Sequence, residues 1–223
     1  MVKTIFFCRR RPEITHERYA ELLLHGHVPI ALRHHPLMRR YVVNVVDEVF
    51  AGAPPIDSVG ALWFESVDDF HERLYDSAEG ETIVANDVAR FMGGADAYAT
   101  TEHVQRRRAE SVRFGEPTRG VKLVVGVRRT PSLSHERFVA HWLERHVPLV
   151  LEDPRLRGYV TNVVDGALRG NPPSLDGVAE LQFDSVEDLR AHMALAAAPP
   201  FREDLPRFVG AAFAYRAIEY VER

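Results

Sequence analysis

The stretch HERFVAHWLERHVPL, residues 135–149, repeats HERYAELLLHGHVPI, residues 16–30, and this repetition decides how the chain folds. With the preceding residue included, seven of sixteen positions are identical between 134–149 and 15–30, and Ser134/Thr15, Phe138/Tyr19 and Leu149/Ile30 are near-equivalent. Chance would give about one identity, so a duplicated unit is settled before anything else. Two halves follow, residues 1–104 and 120–223, joined by a polar, charged linker over 105–119. Each half carries one residue that stands out chemically, a histidine followed by Val-Pro: His27 and His146.

Around the repeat the elements are read in order. Thr15 and Ser134 are good N-caps, and Glu17 in the first turn suits the helix dipole. Tyr19, Leu23 and His27 recur every four residues, as do Phe138, Trp142 and His146, so each histidine shares the apolar stripe of its helix. Pro29 is expected to interrupt the first helix just after His27. VKTIFFC (2–8), RYVVNVVD (40–47), VGALWFE (59–65) and AYATTEHV (97–104) read as strands. FAGAPPIDS reads as a loop, and Ser66 with Asp69 forms a capping-box pattern opening a helical region that should break near Gly80 and run to about Met92. The second half returns the same series: VKLVVGV, YVTNVVD, VAELQFD and AYRAIEYVE as strands, NPPSLDG as loop, Ser185 and Asp188 as capping box. The order is βαββαβ twice, the ferredoxin-like split unit.

Helices cover only one face of such a sheet, yet the strands are apolar on both, so each unit needs a second cover. The two units supply it to each other. The expected fold is α+β, two ferredoxin-like units packed sheet to sheet as a barrel inside one polypeptide. Alternation turns Leu62, Phe64, Leu181 and Phe183 toward the helices. It turns Val42, Asn44, Ala61, Trp63, Val160, Asn162, Glu180 and Gln182 toward the interior or its open ends. The third strand breaks the symmetry, with Ala61 and Trp63 answered by Glu180 and Gln182.

Of the 223 residues, 46% are hydrophobic and 27% charged, an ordinary globular balance, and the net charge of −4 gives no reason to expect nucleic acid or a membrane as partner. Arg9–Arg11 and Arg106–Arg108, with no interleaved aromatics, read as solvated loop ends. Cys8 stands alone, so no disulfide forms within the chain and a cytoplasmic setting is expected. The N-terminal apolar run is too short for a signal segment, and no stretch reaches the roughly 18 apolar residues of a membrane span.

His146 and His27 are the leading candidates, since imidazole titrates near neutrality and can act as acid or base without a cofactor. The alternative is a histidine that closes its helix against a backbone carbonyl. Glu180 on a core strand is costly to bury unless it belongs to a site or meets a cation such as Arg216. Asn44 and Asn162 either orient a substrate oxygen or satisfy backbone. Trp63 is either a stacking wall or core. The crowd of His25, His27, His34 and His35 lacks ligand spacing, so no metal is expected. There is no glycine-rich phosphate loop and no nucleophile elbow.

The pattern [ST]xER[FY]xxHWxxxHxPL, YxxNxVxD and DGxAExxFDSxED resembles the EthD family. The second half carries it as HERFVAHWLERHVPLV, GYVTNVVD and DGVAELQFDSVEDL. The first departs from it at Leu22-Leu23, Ser58 and Ala61. The resemblance covers nearly the whole chain except the linker and implies a dimeric α+β barrel, here made by two repeats and open to further homo-oligomerisation. It also implies proton-transfer chemistry on small cyclic or polyketide-like molecules without metal or organic cofactor. Carried over, His146 would be the acid/base, with Glu180 and Asn162 beside it; Asn44, Trp63, Gln182 and Tyr159 are the further candidates to contact substrate. The loss of Glu at Ala61 would make the first half partly a scaffold. The expectation is a cofactor-independent dehydratase or cyclase. The rivals are oxygenation on the same barrel, cofactor-free or haem-dependent, and a small-molecule carrier without chemistry.

Overall fold

The computed structural model describes residues 1–109, 112–168 and 174–223. Glu110 and Ser111 of the linker, and Asn171, Pro172 and Pro173 of the expected second loop, lie outside the described residues. The first half runs β1 (Val2–Arg10), α1 (His16–Glu21), a π-helical turn (Leu22–His27), α2 (Val28–His34), β2 (Arg40–Val49), β3 (Ser58–Phe64), α3 (Val67–His71), α4 (Ala78–Phe91) and β4 (Met92–Arg106). The second half runs β5 (Val121–Arg129), α5 (His135–His141), a π-helical turn (Trp142–His146), α6 (Val147–Leu151), β6 (Leu156–Ala167), β7 (Gly177–Phe183), α7 (Val186–Ala194), α8 (Phe201–Asp204) and β8 (Val209–Val221).

The strands close into one barrel in the order β1-β3-β2-β8-β5-β7-β6-β4. Each half is a four-stranded antiparallel sheet, and the last strand of each half bonds to the second strand of the other. Asn44 pairs with Glu219 across one seam and Glu102 with Asn162 across the other. Closure leaves no edge unpaired. It also explains why β4 is longer than expected: it serves β1 on one side and β6 on the other, and the second ladder continues to Arg106↔Tyr159. The first two residues assigned to the linker are therefore strand.

Three apolar clusters follow from the alternation. The barrel interior holds Val42, Ala61, Trp63 and Val178, whereas Phe64 packs under the first-half helices and Leu181 and Phe183 under the second. The sidedness inferred from alternation is what the structure has. The helix ends differ in two places. Pro29 does not stop the first helix: the π turn over Leu22–His27 widens the coil ahead of the proline ring, and α2 carries on to His34. The second helical region breaks before Gly80, over residues 72–77, because Ser77 caps α4 by accepting from the Gly80 amide. A Cβ at Gly80 would meet Asp76 Oδ1 at 2.1 Å and His34 Nδ1 at 2.7 Å, so that hydrogen-bonded pair of side chains would have to shift to admit it.

Candidate active site

Thr15 Oγ1 accepts from the Arg18 amide and starts α1, and the four-residue stripe then buries Tyr19, Leu23 and His27 against the outer face of the first sheet. In the second half Ser134 does the same for Phe138, Trp142 and His146. The π turns place each histidine in mid-helix, one residue before Val-Pro, rather than at a helix end.

Neither imidazole closes its helix against a carbonyl. His27 Nδ1–H donates to Asp87 Oδ2 at 3.1 Å, and His146 Nδ1–H to Asp204 Oδ2 at 2.9 Å. Both carboxylates sit on the helical segment entering the last strand of their half. A signal for them exists in the sequence, NDVARFMG at 86–93 and EDLPRFVG at 203–210, which aligns Asp87 with Asp204 and Phe91 with Phe208. Each aligned phenylalanine lies against its histidine, at 5.5 Å and 5.0 Å between ring centres. Burial lowers the pKa of both histidines and outweighs the upward pull of the carboxylates, so both are neutral at pH 7. With Nδ1–H given to the carboxylate, Nε2 is left with its lone pair.

What differs between the halves is the space beside the histidine. A cavity of about 590 Å³ lies between the first sheet and its helices, lined by His27, His35, Tyr41, Cys8, Ser58, Leu23, Val84 and apolar neighbours. It adjoins a more polar depression past Phe70, Leu74, Tyr75 and Glu81. In the second half the equivalent space is filled. Trp142, eight residues after its cap as Leu23 is after Thr15, lies so close over Gly177 that a Cβ there would fall 2.1 Å from Cζ3 of the indole. Phe201, seven residues before Phe208 as Val84 is before Phe91, stands 5.8 Å from the His146 ring. Leu23 and Val84 open what Trp142 and Phe201 close, and Ser58 replaces Gly177 because no indole presses on it. Ser58 Oγ instead meets the Tyr19 hydroxyl at 2.7 Å, where the second half has Phe138. The half expected to be partly a scaffold, for its loss of Glu at Ala61, is thus the one with the cavity, and two of its other departures, Leu23 and Ser58, line it.

The other expected site residues are not brought to either histidine. Glu180 lies inside the barrel, on the opposite face of the sheet, bound to Lys3 and, at 2.7 Å, to Lys122. Lys122 also meets Glu219, and Lys3 meets Glu102 at 3.0 Å. Burial acts to raise the Glu180 pKa, but the two lysines more than offset it and hold the carboxyl well below its ordinary range. Its cations are these lysines and not Arg216, which pairs with Asp47 and Glu48 outside. Asn162 donates to Val178 O and to Glu180 Oε1, at 2.9 and 3.0 Å, and Asn44 to Val59 O at 2.9 Å. Trp63 lies in the barrel core, with Nε1–H donating to Glu102 and with Lys3 and Arg40 each 4.6 Å from its ring. Gln182 donates to Glu219 at 3.0 Å. Tyr159 is on the outer face, but its hydroxyl accepts from Trp142 Nε1–H at 3.3 Å beneath the filled space. His34 and His35 are engaged by Asp76 and the Leu74 carbonyl. Burial pushes the Cys8 thiol up to about 11, which leaves it a poor nucleophile.

The EthD domain model matches residues 11–95 and 130–211, about three quarters of the chain and both repeats. The chain belongs to the EthD family. Among solved structures, an anthrone oxidase-like protein superposes with a TM-score of 0.70 at 11% identity, over 99% of this chain and 92% of that one. A chlorite dismutase mutant from Candidatus Nitrospira defluvii gives 0.55 at 10% identity, over 97% and 91%. A candidate monooxygenase from Lactobacillus acidophilus NCFM gives 0.51 at 12%, over 99% and 96%. At these identities the likeness is one of fold. No curated protein matches the chain by sequence. No helix among the described residues is long and apolar enough to cross a membrane.

A haem in the cavity would bring two carboxylates needing cations. The lining residues include Glu81 and no Lys or Arg, so they do not fit that group.

Proposed function

We propose that this EthD-family protein is a cofactor-independent enzyme whose active site is the first-half cavity. Its substrate is a small, largely apolar aromatic or polyketide-like molecule with a C–H made acidic by a carbonyl beside it or conjugated to it through a ring. His27 Nε2 takes that proton, forming imidazolium and enolate, and the Asp87 carboxylate stabilises the charge that arrives on the ring. In a dehydratase step the imidazolium gives the proton to a departing hydroxide, which leaves as water; in a cyclase step the enolate carbon attacks a second carbonyl of the same molecule and the imidazolium protonates the resulting alkoxide; in an isomerase step the proton returns to another carbon of the enolate. The observation carrying this reading is a neutral, carboxylate-held imidazole facing a roomy, mostly apolar cavity. A second reading, cofactor-free oxygenation of the same enolate by O2, draws support from the fold likeness to an anthrone oxidase-like protein.

Both readings share the first proton transfer, and hydrogen–deuterium exchange reads it directly. Anthrone held without oxygen in D2O should exchange its methylene protons faster with the protein than in buffer. His27→Gln should lower that excess by about two to four orders of magnitude, and His146→Gln should leave it within about twofold. Equal exchange with wild type and a folded His27→Gln variant rejects His27 as the base. Oxygen consumption on admitting air would favour the oxygenase reading over the lyase/isomerase one. Tight binding with no exchange would favour a carrier.

A further inference from the structure

Tyr41 and Tyr159 occupy the same place in the two halves, each paired across its sheet with the matching leucine, Leu62 or Leu181. Both are buried, at 4% and 1% exposure. Their hydroxyls fare differently. The Tyr159 oxygen receives the indole N–H of Trp142, whereas Leu23 stands where Trp142 would be and has nothing to donate. Among the described residues the Tyr41 hydroxyl has no hydrogen-bond partner, and the residue lines the cavity. The oxygen is not sealed off: it opens on the cavity, free to bond a molecule that enters there.

We infer that Tyr41 is the polar anchor of the cavity's ligand, and that the ligand is a flat fused-ring aromatic presenting a hydroxyl or ring N–H to the Tyr41 oxygen, as the Trp142 indole does to Tyr159. The inference rests on the first-half cavity being the substrate site. The second half thus carries in Trp142 an internal imitation of what the first half binds. The fit is not a copy: the Ser58 Cβ occupies the spot against which the indole lies at Gly177, so the ligand sits displaced from the sheet, toward Leu23 and Val84. Burial raises the Tyr41 pKa, which keeps the phenol neutral and able both to donate and to accept.

The test is calorimetric titration with 2-naphthol, which carries the hydroxyl, and with naphthalene, which does not. Wild type should bind 2-naphthol more tightly. Tyr41→Phe should weaken 2-naphthol roughly three- to tenfold, the worth of one hydrogen bond, and leave naphthalene within twofold. Leu23→Trp combined with Ser58→Gly, which recreates the second half's packing, should abolish binding of both. Equal affinity of wild type and Tyr41→Phe for 2-naphthol overturns the anchor while the cavity reading survives. Failure of wild type to bind either probe overturns the cavity as the site and the anchor with it.

Discussion

Substitution of Gly177 by Ala puts the packing difference between the halves to a quantitative test. The added Cβ would lie 2.1 Å from Cζ3 and 2.7 Å from Cη2 of Trp142, atoms of a rigid ring that is 1% exposed and cannot swing aside. Overpacking of this kind costs about 1–3 kcal/mol. Trp142→Leu alone removes the indole and leaves a cavity and an unpaired Tyr159 hydroxyl, a loss of about 2–4 kcal/mol. In the double variant the methyl enters space the indole has vacated, as the Ser58 Cβ does beside Leu23. Alanine is the right probe because Phe138 has no hydroxyl to meet a serine there. The double variant should be more stable than the sum of the single losses by about 1–3 kcal/mol. Urea denaturation at constant m-value measures all four corners of the cycle. Additivity within about 0.5 kcal/mol would refute the claim that Leu23–Ser58 and Trp142–Gly177 are alternative solutions to one packing problem.

The same comparison predicts that Trp142→Leu with Phe201→Val opens a second cavity beside His146, raising 2-naphthol stoichiometry from one to two per chain; a ratio still at one in a folded variant counts against it. Acid stability should follow the histidines. Burial lowers the folded-state pKa of His27, His35, His146 and His192 below imidazole's ordinary value of about 6.5. The unfolded chain therefore takes up protons first as pH falls, so stability is fully present above about pH 6.5 and declines below it. Thermal melts from pH 8 to pH 5 should show that decline, less steeply in His27→Gln with His146→Gln; an equal slope in both proteins contradicts it. Lys122→Met should cost about 3–5 kcal/mol by removing the buried cation that Glu180 and Glu219 share and leaving two carboxylates to one buried lysine, Lys3, and a denaturation midpoint near wild type would show that the interior charges are not paired as described.

The barrel was legible because its causes are local and doubled. The repeated cap, four-residue stripe and Val-Pro fixed the unit, and the parity of Ala61, Trp63, Leu62 and Phe64 fixed which side faced the interior. Strand lengths were less legible, since β4 extends back to Met92 along β1 and on to Arg106 along β6 of the other half. The histidines could be singled out from their apolar stripes, but their partners could not be read from nearby spacing. Asp87 is sixty residues beyond His27, and only the second repeated motif, NDVARFMG and EDLPRFVG, betrays it. Glu180 misled for a related reason. Alternation located it correctly in the interior, but of its counter-ions Lys122 comes from the neighbouring β5 of its own sheet and Lys3 from β1 of the other half, which meets it only because the two sheets close into one barrel. The departures at Leu23 and Ser58 are visible in the sequence, but the cavity they line is not, because a lost side chain can be read there and the space it leaves cannot.

The most direct test of the central claim is a crystal structure of the protein soaked with 2-naphthol at neutral pH. The account predicts the ring between the first sheet and its helices, its hydroxyl on Tyr41 and its edge near His27 Nε2, with Trp142 still seated on Gly177. Density beside His146, or within the barrel against Glu180, would contradict it.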